Sequence, residues 1–117
     1  DATGPTCGFE RAGARHQKFL DENILLREYT SVLTTFAALA EPNRLRVVEL
    51  LRDGPRAVGE ISERLKVRQP QVSKHLRVLS EAGLVEARVD AQRRIYRLRT
   101  EPLRELDAWL AGYRQFW

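Results

Sequence analysis

The stretch that decides the fold is QPQVSKHLRVL, residues 69–79. In a helix, with about 100° between successive residues, Val72, Leu76 and Leu79 share one face. Lys74 then points almost directly away from that face. Because proline is well tolerated in the first turn of a helix, the spacing predicts an amphipathic helix that begins at Pro70 and extends to Glu81.

The outward side of this helix carries polar groups that suit a DNA groove. An α-helix fits the major groove, where Gln can pair with adenine, Arg with guanine, and Lys or Ser with phosphates. A merely solvated polar face is the alternative interpretation, and the flanking elements argue against it. His75 lies about 60° from the centre of the apolar face, a position that suits packing or a phosphate contact. The predicted DNA contacts of this helix are Gln69, Gln71, Ser73, Lys74, His75 and Arg77.

Three helical segments are predicted upstream. Val58, Ile61 and Leu65 mark a short helix, and the tight connection over 67–69 joins it to the helix at Pro70 as a helix-turn-helix. An earlier helix is predicted from Pro42 to the turn at 53–55, with an apolar side formed by Leu45, Val48 and Leu51. One long helix or two successive helices are predicted over 16–40, from the apolar positions Phe19, Leu26, Leu33, Phe36 and Leu39.

The segment after the helix-turn-helix predicts a β-hairpin, the wing. Apolar and polar residues alternate over Leu84–Val89 and over Arg94–Leu98, and a polar turn covers 90–93 between them. Arg93 and Arg94, at the predicted tip, are expected to reach an adjacent minor groove or its phosphates. The arginines in or beside the hairpin are Arg88, Arg93, Arg94, Arg97 and Arg99.

A last helix is predicted after Thr100, a residue type that suits the N-cap position. Its apolar stripe is broad and comprises Leu103, Leu106, Trp109, Leu110, Tyr113 and Trp117. The expected fold is therefore mainly α with a small β-hairpin, in the order α-α-α-α-β-β-α. This is a winged helix-turn-helix over residues 16–117.

Charge is distributed unevenly along the 117 residues, whose net charge is +4. Residues 41–100 hold 14 basic and 8 acidic side chains, whereas the segments on either side each hold one more acidic than basic side chain. A basic centre between two nearly neutral ends suits a surface that binds a polyanion.

Over residues 36–116 the chain resembles the ArsR family of winged helix-turn-helix repressors. The resemblance rests on ALAEPNRL (38–45), QPQVSKHLRVL (69–79), AGLV (82–85) and RIYRL (94–98). It implies a homodimeric repressor that binds palindromic double-stranded operator DNA and releases it when an inducer binds. It also implies a dimer interface formed by the first and last helices. The residues expected there are Phe19, Leu26, Leu33, Leu106, Trp109, Leu110, Tyr113 and Trp117.

The sensor sites common in that family are missing from this sequence. The positions that match the family's cysteine pair hold Ala57 and Gly59, which cannot ligate a soft metal. The last helix has no histidine to join Asp107 in a metal site. No metal or cofactor is therefore expected. The sequence does not show whether an inducer exists, and an unknown small molecule is the candidate. Aromatic side chains of the first and last helices could line a pocket for it, although packing in the dimer core is the favoured interpretation.

Residues 1–15 are predicted to form a flexible arm, because Gly and Pro occur there without an apolar period. The chain begins at Asp1 and has no methionine, so this arm is expected to include tag residues or to follow a native start further upstream. Cys7 is the single cysteine, which excludes an intrachain disulfide, and a site formed with His16 is a disfavoured alternative. No signal-peptide pattern and no long apolar run appears, so the expected location is the cytoplasm, without membrane contact.

Two other classes of function are disfavoured. The first is a winged helix that binds a protein and not DNA, but such a surface more often presents apolar anchors than the outward Lys74 and Arg77. The second is an enzyme. The two histidines lie in unrelated elements, and neither a Gly-rich phosphate loop nor a recognisable carboxylate pair is present. The sequence therefore predicts a DNA-binding regulator with no catalytic residues.

Overall fold

The computed structural model describes residues 30–117. Residues 30–39 are helical and are called α1. The following elements are α2 (Pro42–Leu51), β1 (Arg56–Ala57), α3 (Val58–Leu65), α4 (Gln69–Glu81), β2 (Val85–Asp90), β3 (Arg93–Leu98) and α5 (Glu101–Ala111), with a short 3-10 helix at Arg114–Phe116. The predicted arm at 1–15 lies outside the described residues, as do Phe19 and Leu26.

The core forms where the first four helices meet the base of the hairpin. The side chains that are almost fully buried there are Val47, Ile61, Val72, Leu76, Leu79 and Leu84. Three of the six belong to α4 and repeat at helical spacing, which confirms the apolar face that the sequence predicts for that helix. The winged helix-turn-helix prediction is likewise confirmed, because the helices and the hairpin follow in the expected order.

The sheet has one strand more than the sequence predicts. Its order is β1-β3-β2, and both strand pairs are antiparallel. β1 contains only Arg56 and Ala57, which pair with Tyr96 and Ile95 of β3. Two residues are too few for an alternating pattern, so the sequence carries no signal for this strand. By this pairing β1 fixes the base of the wing to the start of α3.

The apolar face of α2 is rotated from the predicted one. Leu45 was expected on it but is 41% exposed, whereas Val47 is fully buried beside Val48 and Leu51. The reason is that α2 contacts both α3 and α4, so the buried sector is centred on the side that faces both of these helices. Leu45 lies outside that sector.

α1 has two different sides. Val32, Thr35 and Ala38 are buried at a spacing of three residues, and the hydroxyl of Thr35 donates a hydrogen bond to the carbonyl of Ser31. Leu33 and Phe36 point elsewhere and stay exposed. The small inward residues let α1 pack closely on the domain, and its large apolar residues remain on the surface.

α5 differs from the preceding α-helices of the described residues in that it contains no buried residue. Thr100 occupies the predicted N-cap position, but its side chain makes no capping hydrogen bond. The helix ends at Ala111, so Tyr113 and Trp117 follow it instead of continuing its stripe. The apolar side chains at this end of the domain are thus divided between a helix and a 3-10 turn.

Candidate nucleic-acid interface

A tight turn sets the recognition helix α4 at an angle to α3. α3 ends where Lys66 takes a left-handed conformation with φ 58°, and the Ser62 hydroxyl donates a hydrogen bond to the carbonyl of Val67. α4 begins at Gln69, one residue earlier than predicted, because Arg68 adopts the extended N-cap conformation and Pro70 lies in the first turn. The turn between the two helices is therefore fixed by hydrogen bonds.

The outward side of α4 presents the polar groups that the sequence predicts. Gln71, Ser73, Lys74 and Arg77 are all exposed, whereas Val72, Leu76 and Leu79 on the opposite side are fully buried. Arg77 Nε lies 3.4 Å from the carboxylate of Glu81, and both of these side chains are largely exposed. Exposed pairs of this kind contribute little free energy, so Arg77 is free to turn towards another anion.

The two remaining residues of the predicted α4 set have different surroundings. A Cβ atom added to Gly59 of α3 would lie 3.4 Å from Nε2 of Gln69. The Gln69 side chain therefore lies close to the backbone of α3 at Gly59. His75 is half-buried, and its Nε2 lies 4.0 Å from the Glu41 carboxylate at the start of α2. That these two residues and the four exposed ones contact DNA stays a prediction.

The wing is a hairpin with a two-residue turn, Ala91–Gln92, between Asp90 and Arg93. The predicted four-residue turn is therefore too long, because Asp90 and Arg93 are already paired across the strands. Ala91 has a φ of 60°, which is uncommon for a residue with a side chain. Since successive strand residues point to opposite faces, Arg93 and Arg94 project from opposite faces of the wing.

The wing arginines fall into two groups. Arg97 pairs with Glu86 on the neighbouring strand, and Arg99 lies 3.5 Å from Glu101. Within residues 30–117, no ion pair or hydrogen bond engages the side chains of Arg88, Arg93 or Arg94. The unpaired arginines are therefore concentrated towards the tip of the hairpin, and the paired ones towards its base.

Three further basic residues, which the predicted contact set omits, are exposed around the turn before α4. Arg64, Lys66 and Arg68 are exposed at the end of α3, in the turn and at the N-cap of α4. Arg68 directly precedes the first residue of the recognition helix. The sequence has a basic side chain at every second position from 64 to 68. This pattern falls around a turn, and an analysis of helical periodicity does not evaluate turn residues.

A second surface of the domain is apolar. Leu33 of α1 is 62% exposed and Trp117 is 82% exposed, whereas Leu110 and Tyr113 are less open, at 40% and 44%. Phe36 packs edge-on against Trp109 with ring centroids 5.5 Å apart, and Trp109 lies 5.0 Å from the ring of Tyr113. Leu106 and Trp109 are half-buried within this group.

Other kinds of site find no support in residues 30–117. No group of three or more His, Cys, Asp or Glu side chains in this part of the chain could hold a metal ion. No helix within the same residues combines the length and apolar character that a membrane crossing requires. Cys7 and His16 lie outside the described residues.

Comparison with known proteins agrees with this geometry. Residues 41–87 match the family model described as bacterial regulatory protein, arsR family. The HTH-type transcriptional regulator Rv2034 of Mycobacterium tuberculosis is 41% identical over 95 residues, which cover 74% of this chain and 89% of that protein. The biofilm growth-associated repressor of Agrobacterium fabrum is 42% identical over 69 residues, or 59% of each chain.

A solved structure extends the likeness to the fold. It is the homodimeric winged helix-turn-helix DNA-binding domain of a possible ArsR-family transcriptional regulator from Mycobacterium bovis. The sequence identity is 30% and the TM-score 0.61, with 79% of this chain and 83% of the other covered. The similar proteins are named as a transcriptional regulator and a repressor. By its fold and these similarities, the chain belongs to the arsR family of bacterial regulatory proteins.

Proposed function

We propose that this protein is a homodimeric repressor that places α4 of each subunit in successive major grooves of a palindromic operator. The observation that carries the proposal is the division of α4 into a fully buried apolar side and an exposed polar side. The exposed side includes Gln71, Ser73 and Lys74, whose side chains can form hydrogen bonds with base edges and phosphates. Binding to DNA in the cell places the protein in the cytoplasm, and the function needs no catalytic group.

The wing supplies phosphate contacts in this proposal. A hairpin that enters a groove with its tip presents one face to each wall, and Arg93 and Arg94 project from opposite faces. Each of them therefore meets the phosphates of a different strand. Arg68, exposed at the N-cap of α4, is a further phosphate contact, because it lies beside the helix end whose dipole also favours an anion.

The apolar surface of α1 and α5 is the proposed dimer interface. A helix without a buried residue gains little from the fold of its own chain, so α5 is stabilised mainly when another surface covers it. The aromatic cluster of Phe36, Trp109 and Tyr113 provides large rigid side chains of the kind enriched in interface cores. Leu33, Leu106, Leu110 and Trp117 complete the described part of this interface.

The decisive experiment compares the protein's own promoter with scrambled DNA. The full chain is titrated into labelled duplexes at physiological salt, and we expect the promoter to be bound at least about 1,000-fold more tightly than the scrambled sequence. Gln71→Ala is expected to reduce discrimination at one base pair per half-site by about 1–3 kcal/mol. Ser80→Ala, which alters an exposed residue of the same helix outside the contact set, is the matched control.

Two outcomes would contradict the proposal. The first is a wild-type dimer that binds promoter and scrambled DNA equally. The second is a Ser80→Ala variant that loses as much base discrimination as Gln71→Ala, because the loss would then reflect damage to α4 and not a missing base contact.

A further inference from the structure

The carboxylate of Glu41 is held in a fixed position at the N-cap of α2. Its Oε1 accepts hydrogen bonds from the backbone N–H groups of Asn43, at 2.6 Å, and Arg44, at 2.9 Å. These bonds, that from Arg44 above all, lower the pKa of Glu41 below its ordinary value of 4.5. A negative charge at a helix N-terminus is also favoured by the helix dipole. Glu41 is therefore a stationary anion and not a mobile surface group.

The imidazole of His75 lies against this anion from the side of α4. Its Nε2 is 4.0 Å from the same Oε1 atom, and the side chain is only 17% exposed. The residue before it, Lys74, is exposed, and the residue after it, Leu76, is fully buried. The contact thus lies on the border between the DNA-facing side of α4 and the core, one helical turn after Gln71.

The same part of α2 is tied to two other helices. The guanidinium of Arg44 donates hydrogen bonds to the carbonyls of Ala38, at 2.6 Å, and Ala37, at 3.4 Å, near the end of α1. Arg46 donates to the carbonyl of Leu65 at the end of α3, at 3.1 Å. The N-terminal half of α2 therefore makes polar contacts with α1 and α3, and Glu41, at its N-cap, adds a polar contact with His75 of α4.

We propose that His75 is a positioning residue for operator recognition, which acts by holding α4 against the Glu41 carboxylate of α2. This proposal rests on the proposed function and adds to it a role that differs from a direct contact with DNA. Because Arg44 ties the same junction to α1, the position of α4 is also linked to the helix that carries part of the dimer surface.

The physical reason is that apolar packing alone does not define the rotation of a helix sharply. The buried side of α4 is held by Val72, Leu76 and Leu79, and hydrophobic contact is not directional. The contact between the His75 imidazole and the fixed Glu41 carboxylate lies on one flank of α4 and so restricts rotation about the helix axis. Hydrogen bonds to base edges tolerate only a few tenths of an ångström, whereas flexible Lys and Arg side chains can follow a displaced phosphate. Loss of the contact is therefore expected to impair base recognition more than general DNA affinity.

The test is a double-mutant cycle on the full chain with promoter and scrambled duplexes. His75→Leu removes the imidazole nitrogen facing Glu41 and keeps an apolar side chain, and we expect promoter affinity to fall about tenfold, the lower end of what one impaired base contact costs. Affinity for scrambled DNA and the slope of log K against log salt are expected to stay unchanged. His75→Gln, whose amide nitrogen can replace Nε2, is expected to recover most of the loss.

Glu41→Gln supplies the other side of the cycle, since its amide oxygen can still accept the two backbone hydrogen bonds. We expect it to lower promoter affinity as much as His75→Leu, and the double variant to be no weaker than the weaker single variant. Glu49→Gln makes the same charge change at an exposed residue of the same helix and is expected to leave binding unchanged. Thermal unfolding of each variant gives the folded fraction used to correct the affinities.

Each other outcome overturns the proposal. If His75→Leu weakens promoter and scrambled binding alike and lowers the salt slope, His75 contacts a phosphate directly. If the losses of His75→Leu and Glu41→Gln add, the two residues act independently. If stability falls while the corrected affinity does not, the contact is purely structural. A wild-type protein that does not discriminate between the duplexes contradicts the proposed function instead, so the two failures are distinguishable.

Discussion

α4 and α5 are both amphipathic helices, yet the domain uses their apolar sides differently. The apolar side of α4 is completely buried within its own chain, and its polar side is open. α5 has no buried residue, although leucines and tryptophan form a comparable stripe along it. Amphipathic character alone therefore does not say what a helix binds. The burial of its apolar side within the monomer decides whether the polar or the apolar side is available to a partner.

The largest expected effect comes from placing a charge on the apolar side of α5. Leu110→Glu introduces a carboxylate into the proposed interface twice, once per subunit, because a two-fold interface repeats every change. We expect the dimer to lose roughly 5 kcal/mol or more of association free energy, since an unpaired buried charge is strongly unfavourable. Analytical ultracentrifugation should show a folded monomer that no longer binds the promoter.

Arg104→Glu is the control for that change, because Arg104 is an exposed polar residue of the same helix. It should leave the dimer largely intact. If Leu110→Glu sediments as a dimer at micromolar concentration, the dimer interface lies elsewhere. The apolar side of α5 would then not be the surface that binds the partner subunit.

A truncation on the apolar side of α4 should act on stability and not on assembly. Leu76→Ala leaves a cavity at a fully buried position, and we expect the free energy of unfolding to fall by about 2–5 kcal/mol. Val78→Ala, at a partly exposed position two residues later, should cost under about 1 kcal/mol. Chemical denaturation at several protein concentrations separates this effect from dimer dissociation. Equal losses for the two variants would contradict the burial pattern.

The smallest of the three effects is expected on the polar side of α4. Lys74→Ala should remove one phosphate contact per subunit, which lowers the slope of log K against log salt by roughly 2 per dimer and the affinity about tenfold. Binding to all sequences should weaken alike, with no change in stability or assembly. Arg52→Ala, which removes an exposed charge at the end of α2, is the control. An equal change in slope for Arg52→Ala would mean that net charge alone governs binding.

The recognition helix could be predicted from sequence almost completely. Helical spacing alone predicts the buried residues Val72, Leu76 and Leu79, because they share the apolar face of one helix. It also predicts that Lys74 and Arg77 are exposed, because they lie away from that face. The strand β1 and the length of the wing turn could not be predicted. Arg56 and Ala57 form a strand only because β3 lies beside them, and the turn at Ala91 contains no glycine to mark its position.

His75 shows most clearly what local pattern leaves open. Its angle on the helical wheel predicts a borderline position, which suits a DNA contact and a packing contact equally. The structure adds the neighbour, Glu41, which is 34 residues away along the chain but 4.0 Å away in space. A partner so distant in sequence depends on how α2 crosses α4, and no periodicity within either helix encodes that crossing.

The sequence by itself determined the order of the helices and the hairpin, the two sides of α4 and the basic character of the central segment. These features depend on residue type and on spacing within one element, which a helix or strand of fixed geometry converts directly into faces. Only the tertiary structure decided which apolar face stays open, which arginines keep free guanidinium groups, and what lies beside His75. Each of those depends on packing between elements, where contacts form between residues far apart in the chain.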